Sequence, residues 1–142
     1  MSEIVSQLTQ ISRFISQYRI RQTAPYGLNN RQASLLLEIC ATPGISQDTL
    51  SRRAFLDKSV VARLLANLEE QGYVDRPVSQ KDRRVTCLYP TEKTLEILPR
   101  LQEILRNCEE YLTRGMTTEE MAAMQSMLCH LQNRTAEWEA EE

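Results

Sequence analysis

The chain has 142 residues, 42% of them hydrophobic, 25% charged and only 6% aromatic, with a formal charge of −2. That balance excludes a disordered tail, and a domain of this size buries roughly two-thirds of its unfolded surface without help from disulfides. Helix formers dominate, so the expected fold class is mainly α with a small β-hairpin, and a sandwich or barrel is disfavoured.

No segment combines a basic flank with the apolar run of a signal peptide, and none approaches the ~20 apolar residues of a membrane span. A cytoplasmic location and no membrane partner are expected. Cys40, Cys87, Cys108 and Cys129 form no C-x-x-C pair, and the lone His130 directly follows Cys129. Adjacent helical positions point about 100° apart, so these two cannot readily share an ion, and neither a metal nor a cofactor is expected. Cys40, Cys108 and Cys129 lie in apolar helical patterns and read as small buried hydrophobes, whereas Cys87 is placed in an exposed hairpin. With no Ser-His-Asp or Cys-His arrangement, no glycine-rich phosphate loop and no H-E-x-x-H, the chain is not expected to be an enzyme.

The net charge conceals its distribution. Between Arg52 and Arg84 eight basic residues face five acidic ones, while Glu92 to Glu142 carries five basic and eleven acidic. A basic middle beside an acidic C-terminal third suggests one surface turned toward a polyanion.

In chain order, Ile4, Leu8, Ile11, Ile15 and Tyr18 form the apolar seam of an N-terminal helix. Pro25, Gly27 and Asn29 interrupt it, and Asn29 with Gln32 makes a capping box for a second helix whose buried side is Leu35, Leu36, Ile39 and Cys40. Thr42-Pro43-Gly44 closes that helix, and Ser46 caps a short one from Gln47 to Ala54, with Leu50 and Ala54 facing inward. After the turn Phe55-Leu56, Asp57 caps a helix from Lys58 to about Gln71, closed by Gly72. Val61, Leu64, Leu65 and Leu68 share one face of it. Lys58, Ser59, Ala62, Arg63 and Ala66 share the other, which is small, basic and free of carboxylates. Such a face fits a DNA major groove, although a solvated helix face can look the same.

Two β-prone runs follow, Tyr73 to Val78 and Val85 to Tyr89, separated by Ser79-Gln80-Lys81-Asp82-Arg83-Arg84. A helix-turn-helix followed by a hairpin with a cationic tip is a winged helix, whose second helix enters the major groove while the wing offers arginine to the minor groove. Asp82 would repel a phosphate, so it reads either as a brace that accepts hydrogen bonds from a neighbouring arginine or as the ordinary turn chemistry of an aspartate. Leu95, Leu98, Leu101 and Leu105 then trace a long helix to about Arg114, with Gly115 beyond its end. Thr117 and Glu120 form a second capping box, opening a last helix through Met124, Met127, Leu128 and Leu131 to Trp138.

From Tyr26-Gly27-Leu28 to the closing helices the chain resembles the MarR (multiple antibiotic resistance regulator) family of winged-helix transcription regulators. The resemblance is carried by Asp57-Lys58-Ser59-Val60-Val61-Ala62-Arg63-Leu64, by Leu68-Glu69-Glu70-Gln71-Gly72-Tyr73-Val74-Asp75-Arg76, and by the wing pattern D-x-R-x-x-x-L-x-x-T at Asp82, Arg84, Leu88 and Thr91. Pro90 and Thr94 depart from it, where leucine and glycine are usual. The resemblance implies that Lys58, Ser59, Ala62 and Arg63 lie on the recognition helix and that Arg84 reaches the minor groove. Lys81 and Arg83 in the wing, with Gln47, Arg52 and Arg53 on the preceding helix, complete the candidate DNA contacts. It further implies one domain over 1–142, with a winged helix-turn-helix over 29–91 and dimerisation helices over 1–22 and 92–142. Ile4, Leu8, Ile11, Ile15, Met124, Leu128 and Leu131 are the candidate interface of the homodimer.

The function so implied is a bacterial or archaeal repressor on a double-stranded, pseudo-palindromic operator, with half-sites about 34–36 Å apart. A small aromatic or phenolic effector would bind between the dimer helices and the winged unit, where Tyr18, Tyr26 and Met116 lie near the expected cleft and no pocket residue is assigned. Two alternatives remain open at this point: a thiol switch in which Arg83 and Arg84 activate Cys87, and a winged helix that binds a protein instead of DNA.

Overall fold

The computed structural model describes residues 3–77 and 85–141, without the side chains of 139–141. Along the chain run α1 (Glu3–Thr23), a 3-10 turn at Ala24–Tyr26, α2 (Asn30–Ala41), β1 (Ile45–Ser46), α3 (Gln47–Ala54), α4 (Lys58–Glu70), β2 (Val74–Asp75), β3 (Cys87–Pro90), α5 (Glu92–Leu112) and α6 (Thr118–Glu141). The elements fall into two compact units, Met1–Cys108 and Glu109–Glu142.

Local chemistry starts the helices. Asn29 Oδ1 accepts from the Gln32 amide at 2.8 Å while the Asn29 amide donates to Gln32 Oε1 at 3.2 Å, so both halves of the capping box form. Ser46 Oγ accepts from the Thr49 amide at 3.1 Å and opens α3. Asp57 holds the cap position of α4, but contrary to expectation its carboxylate makes no capping bond; only its carbonyl is used, by the Val61 amide. Between α3 and α4 the turn is tightened by Phe55, whose φ of 54° lies in the left-handed region that β-carbon crowding disfavours. Gly72, at φ 84°, ends α4 at low conformational cost.

The first unit is built on one aliphatic core. Leu35, Leu36 and Ile39 of α2, Leu50 of α3, and Val61, Leu65 and Leu68 of α4 are buried together with Leu88 of β3 and Leu101 and Ile104 of α5. Each such side chain contributes roughly 1.5–3 kcal/mol by leaving water. The sheet is three-stranded, in the order β1-β3-β2, and antiparallel throughout. A third strand was not foreseen: β1 is two residues long and exists through the pairing of Ile45 with Leu88 and of Ser46 with Cys87.

Where α4, β2 and α5 meet, the two departures from the family pattern find their explanation. Pro90 pairs with Val74 at the end of β3, a strand-terminal position where its missing N–H is tolerated. Thr94 is buried, and its hydroxyl donates to the Tyr73 carbonyl at 2.5 Å. Thr91 Oγ1 donates to the Gly72 carbonyl at 2.6 Å, and Lys93 Nζ donates to the Gln71 carbonyl at 2.6 Å while lying 4.2 Å from the centre of the Tyr73 ring. These bonds fix the start of α5 to the end of α4. The buried register of α5 is accordingly Thr94, Leu101, Ile104 and Cys108, while Leu95, expected in the seam, is exposed.

On α1 the expected seam splits. Tyr18 packs against the core and Ile15 is half-buried, but Ile4, Leu8 and Ile11 are exposed. The cysteines depart from expectation as well: Cys108 is buried, Cys40 and Cys87 are half-buried, and Cys129 is exposed on α6. The predicted buried role of Cys129 fails because α6 buries none of its described side chains. In the second unit Thr117 and Glu120 form the predicted capping box, with bonds of 2.9 and 3.1 Å. No described helix is long and apolar enough to cross a membrane.

Candidate nucleic-acid interface

Because Val61, Leu65 and Leu68 face the core, the helical period turns Lys58, Ser59 and Arg63 outward, where all three are exposed; Ala62 is half-buried and Ala66 exposed. From Lys58 to Ala66 this outward face carries no carboxylate and no large apolar group; Glu69 and Glu70 follow on the same side in the last turn. Lys58 Nζ reaches Asp48 Oδ1 at 3.3 Å, but both side chains are largely in water and the pair contributes little.

The remaining candidates divide. Arg52 is exposed at the end of α3 and donates weakly to Thr49 Oγ1 at 3.4 Å. Arg53 turns toward α2, donating to Glu38 at 3.5 Å and Thr42 at 3.4 Å. Gln47 is half-buried, with its amide held by the Thr86 carbonyl at 3.0 Å. Lys81, Asp82, Arg83 and Arg84 of the wing lie outside the described residues, and so does the proposed bracing of an arginine by Asp82. Cys87 sits in β3 and is half-buried where exposure was expected, because Ser46 of β1 pairs with it.

Two clefts flank the winged unit's helices. One, of about 430 Å³, runs between the start of α2 and the side of α4, lined by Asn29, Arg31, Gln32, Val60, Arg63, Leu64 and Asn67. Gln32 Nε2 donates to Asn67 Oδ1 at 2.7 Å, and Gln71 Nε2 donates to the same oxygen at 2.5 Å. The other, of about 470 Å³, is bounded by α1, α2 and the α3–α4 turn, with Arg19, Asn30, Arg31, Ser34, Leu37, Glu38, Arg53 and Leu56 among its walls. Arg19 donates from Nη1 to Ser34 Oγ, while its Nε is buried without a partner. Asn30 donates to Ser16 Oγ at 3.2 Å and leaves its buried Oδ1 unpaired. Burial draws the Arg19 pKa down and pushes the Cys108 thiol up, each shift being partly opposed by the other group.

Tyr18 and Tyr26 serve in packing against the core, and Tyr26 also accepts at its carbonyl from the Tyr73 hydroxyl at 2.6 Å. Sequence reasoning overlooked Arg31, Arg19 and Asn30. The available signal was slight: Arg31 is the one basic residue between Gln22 and Ser51. Among the described residues no group of three His, Cys, Asp or Glu side chains is placed to hold a metal.

Comparison with known proteins agrees with this architecture. Residues 26–85 match the MarR family. Over 140 residues the chain is 26% identical to YybA, an uncharacterized HTH-type transcriptional regulator of Bacillus subtilis strain 168, covering 98% of this chain and 93% of that protein. A MarR protein from Peptoclostridium difficile is 27% identical and superposes with a TM-score of 0.92, covering 99% of this chain and 93% of that one. A MarR-type regulator from Listeria monocytogenes, solved in complex with a 26-mer DNA, shares the fold at a TM-score of 0.90 and 22% identity, with coverage of 97% and 93%. The chain is thus similar to the MarR family over its winged helix-turn-helix, and to MarR-type transcriptional regulators over nearly its whole length.

Proposed function

We propose that the protein binds a pseudo-palindromic double-stranded operator as a homodimer, represses transcription by occupying it, and is released by a small aromatic or phenolic effector. The observation that carries this reading is the outward face of α4, where Lys58, Ser59, Ala62 and Arg63 offer donors and small side chains with no carboxylate among them. A major groove accepts such a helix and presents acceptors to its cations. The Listeria relative bound to a 26-mer DNA supports the choice of partner. Gln47 and Arg52, with Lys81, Arg83 and Arg84 in the wing, are assigned as supporting contacts, and Arg53 joins them if it leaves Glu38.

Dimerisation is assigned to the helices over 1–22 and 92–142, supported by the exposed apolar side chains of α1 and, separately, of α6. The effector is assigned to the 470 Å³ cavity. Arg19 Nε there can donate to a carboxylate or phenolate, and Asn30 Oδ1 can accept from a hydroxyl. An effector that prefers a spacing of the two reading heads unsuited to DNA weakens operator binding, typically 5–150-fold.

Selection of bound fragments from random DNA tests the reading. A two-fold symmetric consensus, with half-sites about one helical turn apart, is the expected result. No enrichment of any duplex at low salt would overturn it and favour a winged helix that docks on protein.

A further inference from the structure

We infer that Arg31, at the start of α2, seats a backbone phosphate of the duplex in the cleft it shares with Arg63. This rests on the DNA reading above and adds a second element to the interface.

The cleft is lined by two guanidinium groups and three amide side chains, and by no carboxylate. Nearby cations are held otherwise: Arg53 by Glu38 at 3.5 Å, Lys58 by Asp48 at 3.3 Å and Arg76 by Glu69 at 3.2 Å. Among the described residues neither Arg31 nor Arg63 has an ion pair. The amides do not serve as their acceptors either, since Asn67 Oδ1 takes protons from both Gln32 and Gln71, and Gln32 Oε1 takes the Asn29 amide. Two forked donor groups thus face one cleft without a matching acceptor, and a phosphate supplies oxygens in the geometry a guanidinium fits.

Placement identifies the phosphate as one belonging to DNA. Val60, Arg63, Leu64 and Asn67 line the cleft, while Ser59, Ala62, Arg63 and Ala66 form the outward face, so Arg63 stands on the edge common to both. A helix with its side chains is about 10–12 Å across and nearly fills the ~12 Å major groove, so its flanks lie against the strands that border the groove. The flank bearing Arg31 would then meet a phosphate row while the outward face meets bases.

The test compares the full-length wild type with Arg31→Ala and Arg31→Lys on the selected operator, by fluorescence anisotropy from 50 to 500 mM salt. Arg31 is exposed, so the melting temperature should not move. For each Arg31 contact removed, Arg31→Ala should flatten the slope of log K against log salt by about one and weaken binding about tenfold near 0.1 M, a deficit that closes toward 1 M. Arg31→Lys should recover most of the slope. An alanine variant with wild-type slope and affinity overturns the inference and leaves the DNA reading intact, whereas a wild type that binds no duplex overturns both.

Discussion

Two helices with similar patterns in the sequence behave oppositely in the structure. α4 buries Val61, Leu65 and Leu68 at 0% exposure and turns a cationic face outward. α6, nearly twice as long, buries nothing: Met127 is 62% exposed, Leu128 42% and Leu131 39%, and Met124 alone among its described side chains is half-buried. A stripe of apolar residues therefore says that a helix has something to cover, not that its own chain covers it. In α4 the cover is the core of the first unit, and the opposite face is released for recognition. For α6 the cover is assigned to a second copy, as the resemblance implies.

The largest expected effect lies on the α4 side of this contrast. Leu65→Ala should cost about 2–5 kcal/mol in urea unfolding of the winged unit, through lost transfer energy and the cavity left behind. A cost below about 1 kcal/mol would show that α4 is not anchored as described. On the α6 side, Leu128→Glu with Leu131→Glu should leave that core's stability unchanged yet weaken self-association by about 3 kcal/mol or more, since each dimer would desolvate four new carboxylates. Sedimentation equilibrium at micromolar protein reads this directly, and a double variant still fully dimeric would remove α6 from the interface. Smaller again, Arg63→Ala should lower operator affinity by about 1–3 kcal/mol with no change in melting temperature. If melting falls instead, Arg63 is a structural residue of the cleft and not a reader of the groove.

How much of this was legible follows from how far apart the interacting residues are. The capping boxes at Asn29–Gln32 and Thr117–Glu120 are complete within three residues, and both were readable. The two faces of α4 follow from the helical period alone. By contrast β1 owes its existence to Leu88, 43 positions beyond Ile45, and no local pattern marks it. The register of α5 was misjudged for a related reason. Thr94 looks polar and surface-bound until the Tyr73 carbonyl, 21 residues away, satisfies its hydroxyl in the interior. At the site, the cations of α4 could be found by face, but the tie between Arg53 and Glu38, the unpaired atoms of Arg19 and Asn30, and the pairing of Arg31 with Arg63 across a cleft all depend on tertiary approach. The tip of the wing was legible as a motif only, and its placement lies outside the described residues.

The smallest predicted effect contrasts the two environments through thiol chemistry. Burial raises the pKa of Cys108 and that of Cys40 above their ordinary value of 9.0, and the guanidinium of Arg19 offsets the rise at Cys108 only in part. Both therefore stay protonated near neutral pH, and the thiol is a poor nucleophile. The sign of the pH effect follows: stability associated with the protonated thiols is complete below pH 9.0, their pKa in the unfolded chain, and is lost as pH climbs beyond it. Cys129 is exposed, so iodoacetamide at pH 8, followed by peptide mass mapping, should modify it first, with Cys108 last and Cys40 between them. Cys108 alkylating as fast as Cys129 would mean that the first unit opens around α5 on the timescale of the reaction, and the boundary drawn between a self-sufficient core and helices that need a partner would then lie inside the winged unit.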